Sequence, residues 1–390
     1  MLRENICLKE KRVILRTDYN VPIINNKIQS TKRIDESLKT IKFILDKEPK
    51  KLIIISHLGR PNGKDKNLSL LPIKEYLNMK LATNITLLDL DELTKNTIEK
   101  CKIIMLENIR FYKEETEMTS KTENFRKQLS NLGDVYINDA FGCCHREHSS
   151  IVGINTREKY LGILIEKEIK YLENSLSNNT KKALILGGSK IKDKIKLIKN
   201  LIPKVDKILI GGAMTFTFLN YQGIKIGKSL IDKDSYPSVE EIIDYAKKNK
   251  TEIILPVDFN CNERFDNIGN IQNFDIEEGI PDNYMGLDIG IKTIELFKKS
   301  LYDCETIIWN GPLGVFEFEN FSRGSQEILL YLSIMWRENK TTIIGGGDIV
   351  SCCEKYNLQD QMTHVSTGGG ASLELLEGKL LPGIHFITKT

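Results

Sequence analysis

The stretch KALILGGSKIKDKIKLIKNLI (Lys182–Ile202) holds the unit from which the fold is built. A short apolar run ends in two glycines, a polar turn spans 187–190, and a segment with helical spacing follows. An apolar run of this length flanked by glycine reads as a buried strand, and the segment after it reads as the helix that returns the chain.

The unit recurs along the chain. RVILRTDYNVP, KLIIISHLG, KIIMLENIRF, DVYINDAFG, KILIGGAM, EIILPVDF, TIIWNGP and TIIGGGD are all β-branched-rich runs followed by polar or glycine turns. Helix-like segments such as RIDESLKTIKFILDK come between them. This alternation predicts an α/β fold of parallel sheets with crossover helices. Near-continuous apolar strands are what a sheet buried on both faces requires. The match between RTDYNVP and LPVDFNCN is too short to establish an internal duplication.

At 390 residues the chain is too long for one small core. Before about residue 160 the strand ends carry Arg, His, Asp and Asn, and after it they carry glycine. Ligands of open α/β sheets bind beyond the carboxyl ends of strands, so two kinds of strand end predict two kinds of site, one per domain. Leu161–Leu176, with helical spacing, is the expected connecting helix.

Hydrophobic residues make up 41% and charged residues 28%, as in an ordinary globular protein. A net charge of +3 does not indicate a nucleic-acid partner. No apolar run approaches the roughly 20 residues of a membrane helix. The N-terminal MLRENICLKEKRVILR has charges where a signal peptide is apolar, so the expectation is a cytosolic protein with its start intact. Eight cysteines without a C-x-x-C pair read as reduced thiols. The CCHREH segment (Cys143–His148) superficially resembles a metal cluster. Zinc sites usually draw spaced pairs from two segments, and the sequence has no second Cys/His cluster.

Of 56 basic residues only 12 are Arg, nine of them before residue 160. Asp18 and Asn20, His57 and Arg60, Arg110, and Arg146 lie at or near strand ends, and Arg33 opens a helix. Gathered at one sheet edge, they would form a concave site for a small, multiply anionic ligand, because Arg pairs with phosphate or carboxylate through two parallel hydrogen bonds. Asp18 and Asn20 would recognise hydroxyls or hold the arginines. The alternative is a set of caps and surface ion pairs.

The second half supplies LGGSKIKDK, IGGAM, WNGPLGVFE, STGGGAS and TIIGGGDIV (Thr342–Val350). Glycines at strand-to-helix turns let phosphates approach backbone N–H groups at a helix N-terminus. Lys190 and Lys194 follow one such turn, four residues apart and so expected on one helix face. There is no Walker A motif, and HRE at 145–147 lacks the Asp of a protein-kinase catalytic loop.

With RTDYNVP, SHLGRP, MLENIRFYKEE, NDAFGCCHREHSS, LGGSKIKDKI, KILIGGAMTFTFL, IPDNYMGLDIG, WNGPLGVFE, GGGD and STGGGASLELLEGKLLPG in one order, the chain resembles the phosphoglycerate kinase family over nearly its whole length. The resemblance implies two Rossmann-like lobes, each with a parallel sheet flanked by helices and joined by an interdomain helix. It implies a 3-phosphoglycerate-binding domain at 1–160, to which 376–390 return, and a nucleotide-binding domain at 161–375. Reversible phosphoryl transfer between 1,3-bisphosphoglycerate and ADP would give 3-phosphoglycerate and ATP, in-line and on domain closure.

By the same resemblance Asp18, Tyr19, Asn20, Arg33, His57, Leu58, Gly59, Arg60, Arg110 and Arg146 bind the phosphoglycerate. Lys194, Gly212, Asn310, Glu317, Gly346, Gly347, Asp348 and Ile349 bind ATP or ADP, with Glu317 placed for the ribose. Asp348 matches the carboxylate that holds the nucleotide's Mg²⁺. Arg33, Lys190 and Lys194 are the implied catalytic groups, and a monomer is the implied state. Three departures stand out: Ile349 in place of Thr or Ser after GGGD, Ile291 in place of Pro after GLDIG, and Cys143–Cys144 in place of a Thr-Ala-like pair.

Transfer of this kind needs neutralised charge and excluded water, with no general base when a carboxylate attacks. The rival from another class is a non-catalytic nucleotide-dependent binding protein, which predicts loss of Arg33, Lys190 or Asp348. All three are present. A dehydrogenase would need an early G-x-G-x-x-G, which is absent.

Overall fold

The computed structural model of the chain describes residues 5–177 and 179–389. Among these residues the chain divides into two compact units. One takes the chain up to Ile169 and again from Leu380, and the other is Lys170–Lys379.

The first unit is built on six strands: β1 Arg12–Arg16, β2 Lys51–Ile55, β3 Thr86–Leu88, β4 Ile103–Leu106, β5 Val135–Asn138 and β6 Glu158–Leu161. All pairs are parallel, in the order β3-β4-β2-β1-β5-β6. β2, β4 and β5 are buried at every position, which accounts for their continuous apolar runs. Helix α1 (Lys32–Asp46) covers the sheet with Ile34, Ser37, Ile41 and Ile44, a helical spacing of three and four. Each of those buried isoleucines contributes ~1.5–3 kcal/mol of burial free energy. Helix α2 (Ile163–Ser177) contains the division between the units. The C-terminal helix Pro382–Thr388 belongs to the first unit, where the Gly383 N–H donates to the Cys144 carbonyl at 2.8 Å.

The second unit repeats the plan. Its strands β7 Lys182–Leu186, β8 Lys207–Ile210, β9 Glu252–Ile254, β13 Thr306–Asn310, β14 Thr341–Ile344 and β15 His364–Val365 pair in parallel, in the order β9-β8-β7-β13-β14-β15. A separate antiparallel sheet holds β10 Asp258–Asn262 between β11 Gln272–Asp275 and β12 Met285–Ile289. The run EIILPVDF, read from sequence as one strand, is therefore two strands in two sheets. Pro256 lies between them and has no N–H for a ladder.

In each large sheet the strand order reverses beside the unit's first strand: between β1 and β5 in one, between β7 and β13 in the other. Ligand crevices of open α/β sheets form outside the strand ends at that reversal. The relevant positions are the residues after Arg16 and Asn138, and those after Leu186 and Asn310.

Candidate active site

In the first unit the ends of β1 and β2 bring Asp18 and His57 together, and the turn after β5 adds Cys143. Asp18 is buried with its oxygens in different surroundings. Oδ2 accepts from the Arg33 guanidinium at 3.1 Å, and Oδ1 accepts the Asn20 N–H at 3.1 Å. Burial opposes its charge, but Arg33 and the Asn20 N–H outweigh that and hold its pKa below the usual carboxylate value. His57 is 2% exposed, and burial holds its pKa well below 6.5 against the pull of Asp18. His57 is thus neutral at pH 7, and Arg33 is the cation that neutralises Asp18.

Arg33 also donates to the Asn20 carbonyl at 3.1 Å, and Arg110 to the Gly59 carbonyl at 2.7 Å. Arg60 and Arg146 are exposed. The side chains of Tyr19 and Leu58 turn into the hydrophobic core of the unit. Their backbone N–H groups are taken by Ser56 Oγ at 3.0 Å and Asn108 Oδ1 at 3.2 Å, and that of Gly59 by Asn20 Oδ1 at 2.8 Å. These three residues fix the loop, and the exposed polar side chains are left for a ligand.

The sequence reading missed Arg16. It is fully buried, with Nε on Ser150 Oγ at 2.7 Å, Glu115 at 3.7 Å and Nη2 3.3 Å from His57 Nδ1. A guanidinium at the end of an apolar strand was the available signal. Its acidic partner lies too far along the chain to be paired by eye.

In the second unit a cavity of about 550 Å³ opens at the reversal, lined by Gly188 and Pro312 from its two sides. Gly212, Glu317 and Asp348 line it as well. Its apolar wall includes Phe216, Leu230, Phe265, Leu287, Leu313 and Val315. Apolar walls with a few polar groups suit a small organic ligand with a flat, weakly polar portion.

Glycine has a second purpose here. A Cβ on Gly187 would lie 1.9 Å from the Pro312 carbonyl oxygen, one on Gly311 2.3 Å from the Gly187 oxygen, and one on Gly212 2.5 Å from the Gly188 nitrogen. The strand-end turns pack backbone against backbone, and only residues without a side chain permit it.

Beside the cavity wall, helix α3 (Gly347–Lys355) begins at the glycine run. The Val350 N–H closes its first intrahelical bond to Gly346, so the N–H groups of Gly347, Asp348 and Ile349 form the helix N-terminus, where anions bind. Asp348 is exposed in this first turn. The Ile349 side chain is fully buried in the core cluster that includes Cys352 and Cys353, which leaves its backbone as the part able to meet a ligand.

Lys194 Nζ donates to Asn310 Oδ1, and Asn310 Nδ2 donates to the Gly345 carbonyl at 2.5 Å. Burial pushes the Lys194 pKa down to about 8, with Asp348 acting in the opposite direction. Lys190 is exposed in extended backbone at the start of a single 3₁₀ turn, Ile191–Asp193, and the following α-helix starts at Ile195. Lys190 and Lys194 therefore do not share one helix face. The glycine turn delays the helix.

Asp288 was also missed. It lines the cavity, buried, and accepts the Gly324 N–H at 2.7 Å and the Ile289 N–H at 2.9 Å. Burial pushes its pKa up to about 8 against those two bonds. A Cβ on Gly314 would lie 2.1 Å from its Oδ1, so Asp288 seats the loop that carries Glu317.

A family model for phosphoglycerate kinase matches residues 3–379. The chain belongs to the phosphoglycerate kinase family. The phosphoglycerate kinase of Drosophila melanogaster is 44% identical over 407 residues, spanning 99% of this chain and 98% of the relative. That of Thermosipho africanus is 44% identical over 394 residues, spanning 98% and 96%. Among solved structures, the phosphoglycerate kinase from Coxiella burnetii superposes with a TM-score of 0.87 at 34% identity, covering 99% of this chain and 98% of that one. The phosphoglycerate kinase from Pyrococcus horikoshii gives 0.83 at 29% identity, covering 100% and 98%.

Proposed function

We propose that this member of the phosphoglycerate kinase family moves a phosphoryl group reversibly between 1,3-bisphosphoglycerate and ADP, giving 3-phosphoglycerate and ATP. The match over residues 3–379 carries this reading.

Asp18, Asn20, Arg33, His57, Arg60, Arg110 and Arg146 are assigned to the phosphoglycerate. Arg33, held by Asp18, presents a fixed guanidinium to the anion. Neutral His57 offers a hydrogen bond without adding charge.

The nucleotide is assigned to the second unit, with its base against the apolar wall of the cavity, its ribose at Glu317 and its phosphates at the N-terminus of α3. Gly212, Gly346 and Gly347 supply space, Asn310 and Lys194 polar contact, and Ile349 a backbone N–H. Asp348, an exposed oxygen donor beside that helix start, would hold Mg²⁺, which would supply neutralisation of phosphate charge.

In the forward direction a β-phosphate oxygen of ADP bonds to phosphorus as the acyl carboxylate leaves, in line and with charge spread over the phosphoryl oxygens. Arg33, Lys190 and Lys194 are the cations assigned to that charge. With one substrate assigned to each unit, turnover requires closure of the two, with α2 as part of the hinge and water excluded from the acyl phosphate. The enzyme so described acts in glycolysis as a cytoplasmic, Mg²⁺-dependent monomer. A coupled assay of purified protein with ATP and 3-phosphoglycerate tests the reading. Turnover above a blank lacking 3-phosphoglycerate is expected, and none would contradict it.

A further inference from the structure

The CCHREH segment showed no second Cys/His cluster in the sequence, because its partners arrive singly from other strand ends. Cys143 Sγ lies 3.8 Å from His57 Nδ1, and that nitrogen lies 3.9 Å from Asp18 Oδ1. The three donor atoms lie within 4.8 Å of one another, and all three residues are buried. Donors around tetrahedral Zn²⁺ sit about 3.3–3.6 Å apart, given metal–ligand bonds of about 2.0–2.3 Å. Closing the set on one ion requires contraction by a few tenths of an ångström for the two measured pairs, and by up to about 1.2–1.5 Å for the third against that donor spacing.

We infer that Asp18, His57 and Cys143 form a binding site for a thiophilic divalent cation of the Zn²⁺ class, and that the cation inhibits by occupying residues needed by the phosphoglycerate. Binding of the metal stands independently; the inhibition rests on the function proposed above.

The orientation of each donor supports the site. His57 Nδ1 faces the Arg16 N–H at 3.3 Å, and a guanidinium can only donate. Nδ1 is therefore unprotonated, with its lone pair accepting that N–H and the ring proton on Nε2, and a metal at Nδ1 would take the place of the Arg16 contact. Asp18 turns Oδ2 to Arg33 and leaves Oδ1 on the His57 side. Arg16 is also held by Ser150 and by Glu115, so a metal would displace one of its several contacts.

The thiol is the selective element, since soft sulfur favours Zn²⁺ over Mg²⁺. Binding releases the Cys143 proton to solvent and forms the metal–thiolate bond with no change of oxidation state. Because the thiolate is the ligand, apparent affinity rises with pH. Three protein ligands leave the fourth tetrahedral position to water.

The test is a titration of the metal-free full chain with Co²⁺, following the near-ultraviolet thiolate-to-cobalt charge-transfer band, with Zn²⁺ then added as competitor. The expected result is a band saturating at about one equivalent and removed by Zn²⁺. Cys143→Ser and His57→Gln, checked for folding by circular dichroism, should each weaken binding by more than the roughly 10–100-fold that losing an outer partner costs. Cys144→Ser should keep the band. No band in the parent, or a band unaltered by both Cys143→Ser and His57→Gln, would overturn the site. Prior saturation with 3-phosphoglycerate should suppress the band. A band lost with Cys143 yet indifferent to 3-phosphoglycerate would uphold the metal site and overturn the inhibition, together with the assignment of Asp18 and His57 to the phosphoglycerate.

Discussion

Gly346 and Asn310 leave no room for a side chain between them: a Cβ on Gly346 would lie 2.6 Å from Asn310 Nδ2. Gly346 also has φ +110°, a backbone conformation L residues rarely adopt. Asn310 in turn holds Lys194 and the Gly345 carbonyl, so the second glycine of the run sits against the side chain that organises the assigned phosphate site. A Cβ on Gly347 would meet nothing within 4 Å among the described residues.

Gly346→Val should therefore lower stability by about 1–3 kcal/mol and abolish measurable MgADP binding. Gly347→Ala should fold normally. Urea unfolding and calorimetric titration of both variants check the contrast, and equal behaviour of the two would refute it.

Arg33→Ala should reduce kcat by roughly 10²–10³-fold while leaving MgADP affinity unchanged, because it removes a cation assigned to the transferring group and lies in the first unit. Steady-state kinetics decide the matter. A variant that keeps its kcat and raises only the KM for 3-phosphoglycerate would make Arg33 a binding residue alone.

Much of this was legible in the sequence because strand ends display their chemistry locally. The apolar runs gave the strands, and the change from Arg-bearing to glycine-bearing ends near residue 160 predicted two units, which the structure divides between Ile169 and Lys170. Arg16 escaped because a buried cation is intelligible only with Glu115 beside it, and tertiary packing made that pairing. The antiparallel sheet of β10, β11 and β12 escaped because Pro256 reads as a bend in one strand as easily as a break between two. Tyr19 and Leu58 sit inside quoted motifs, yet their side chains serve the core: a motif marks a loop, and packing decides which of its residues face outward.

Ile349 tests that distinction. A hydroxyl after GGGD suggests a nucleotide contact, but the Ile349 side chain packs in the core with Cys352 and Cys353. Ile349→Thr should cost about 1–3 kcal/mol of stability by burying a hydroxyl. It should change MgADP affinity by no more than one neutral hydrogen bond, ~0.5–1.5 kcal/mol. A stable variant with much tighter nucleotide binding would show that the side chain can turn outward.

Asp288 predicts a pH dependence. Its folded pKa, about 8, lies above the ordinary carboxyl value of 3.8. Between those values the unfolded carboxyl ionises while the folded one stays protonated, so the folded state binds more protons and its contribution to stability falls as pH rises. Asp288→Asn lacks this decline but leaves one backbone N–H facing an NH₂ group, at a cost of about 1–3 kcal/mol. The stability gap in favour of the parent should narrow as pH rises from about 4 to about 8. Urea midpoints across that range give the answer; a gap that stays constant would mean that Asp288 is ionised throughout.

Two anion sites, one at the strand-order reversal of each sheet, are assigned different substrates. The decisive measurement is calorimetric titration of Asp348→Asn with MgADP and, separately, with 3-phosphoglycerate. MgADP binding should weaken by about tenfold or more, ~1.4 kcal/mol, with 3-phosphoglycerate binding unchanged. Undiminished MgADP affinity, or an equal loss for both ligands, would contradict that assignment.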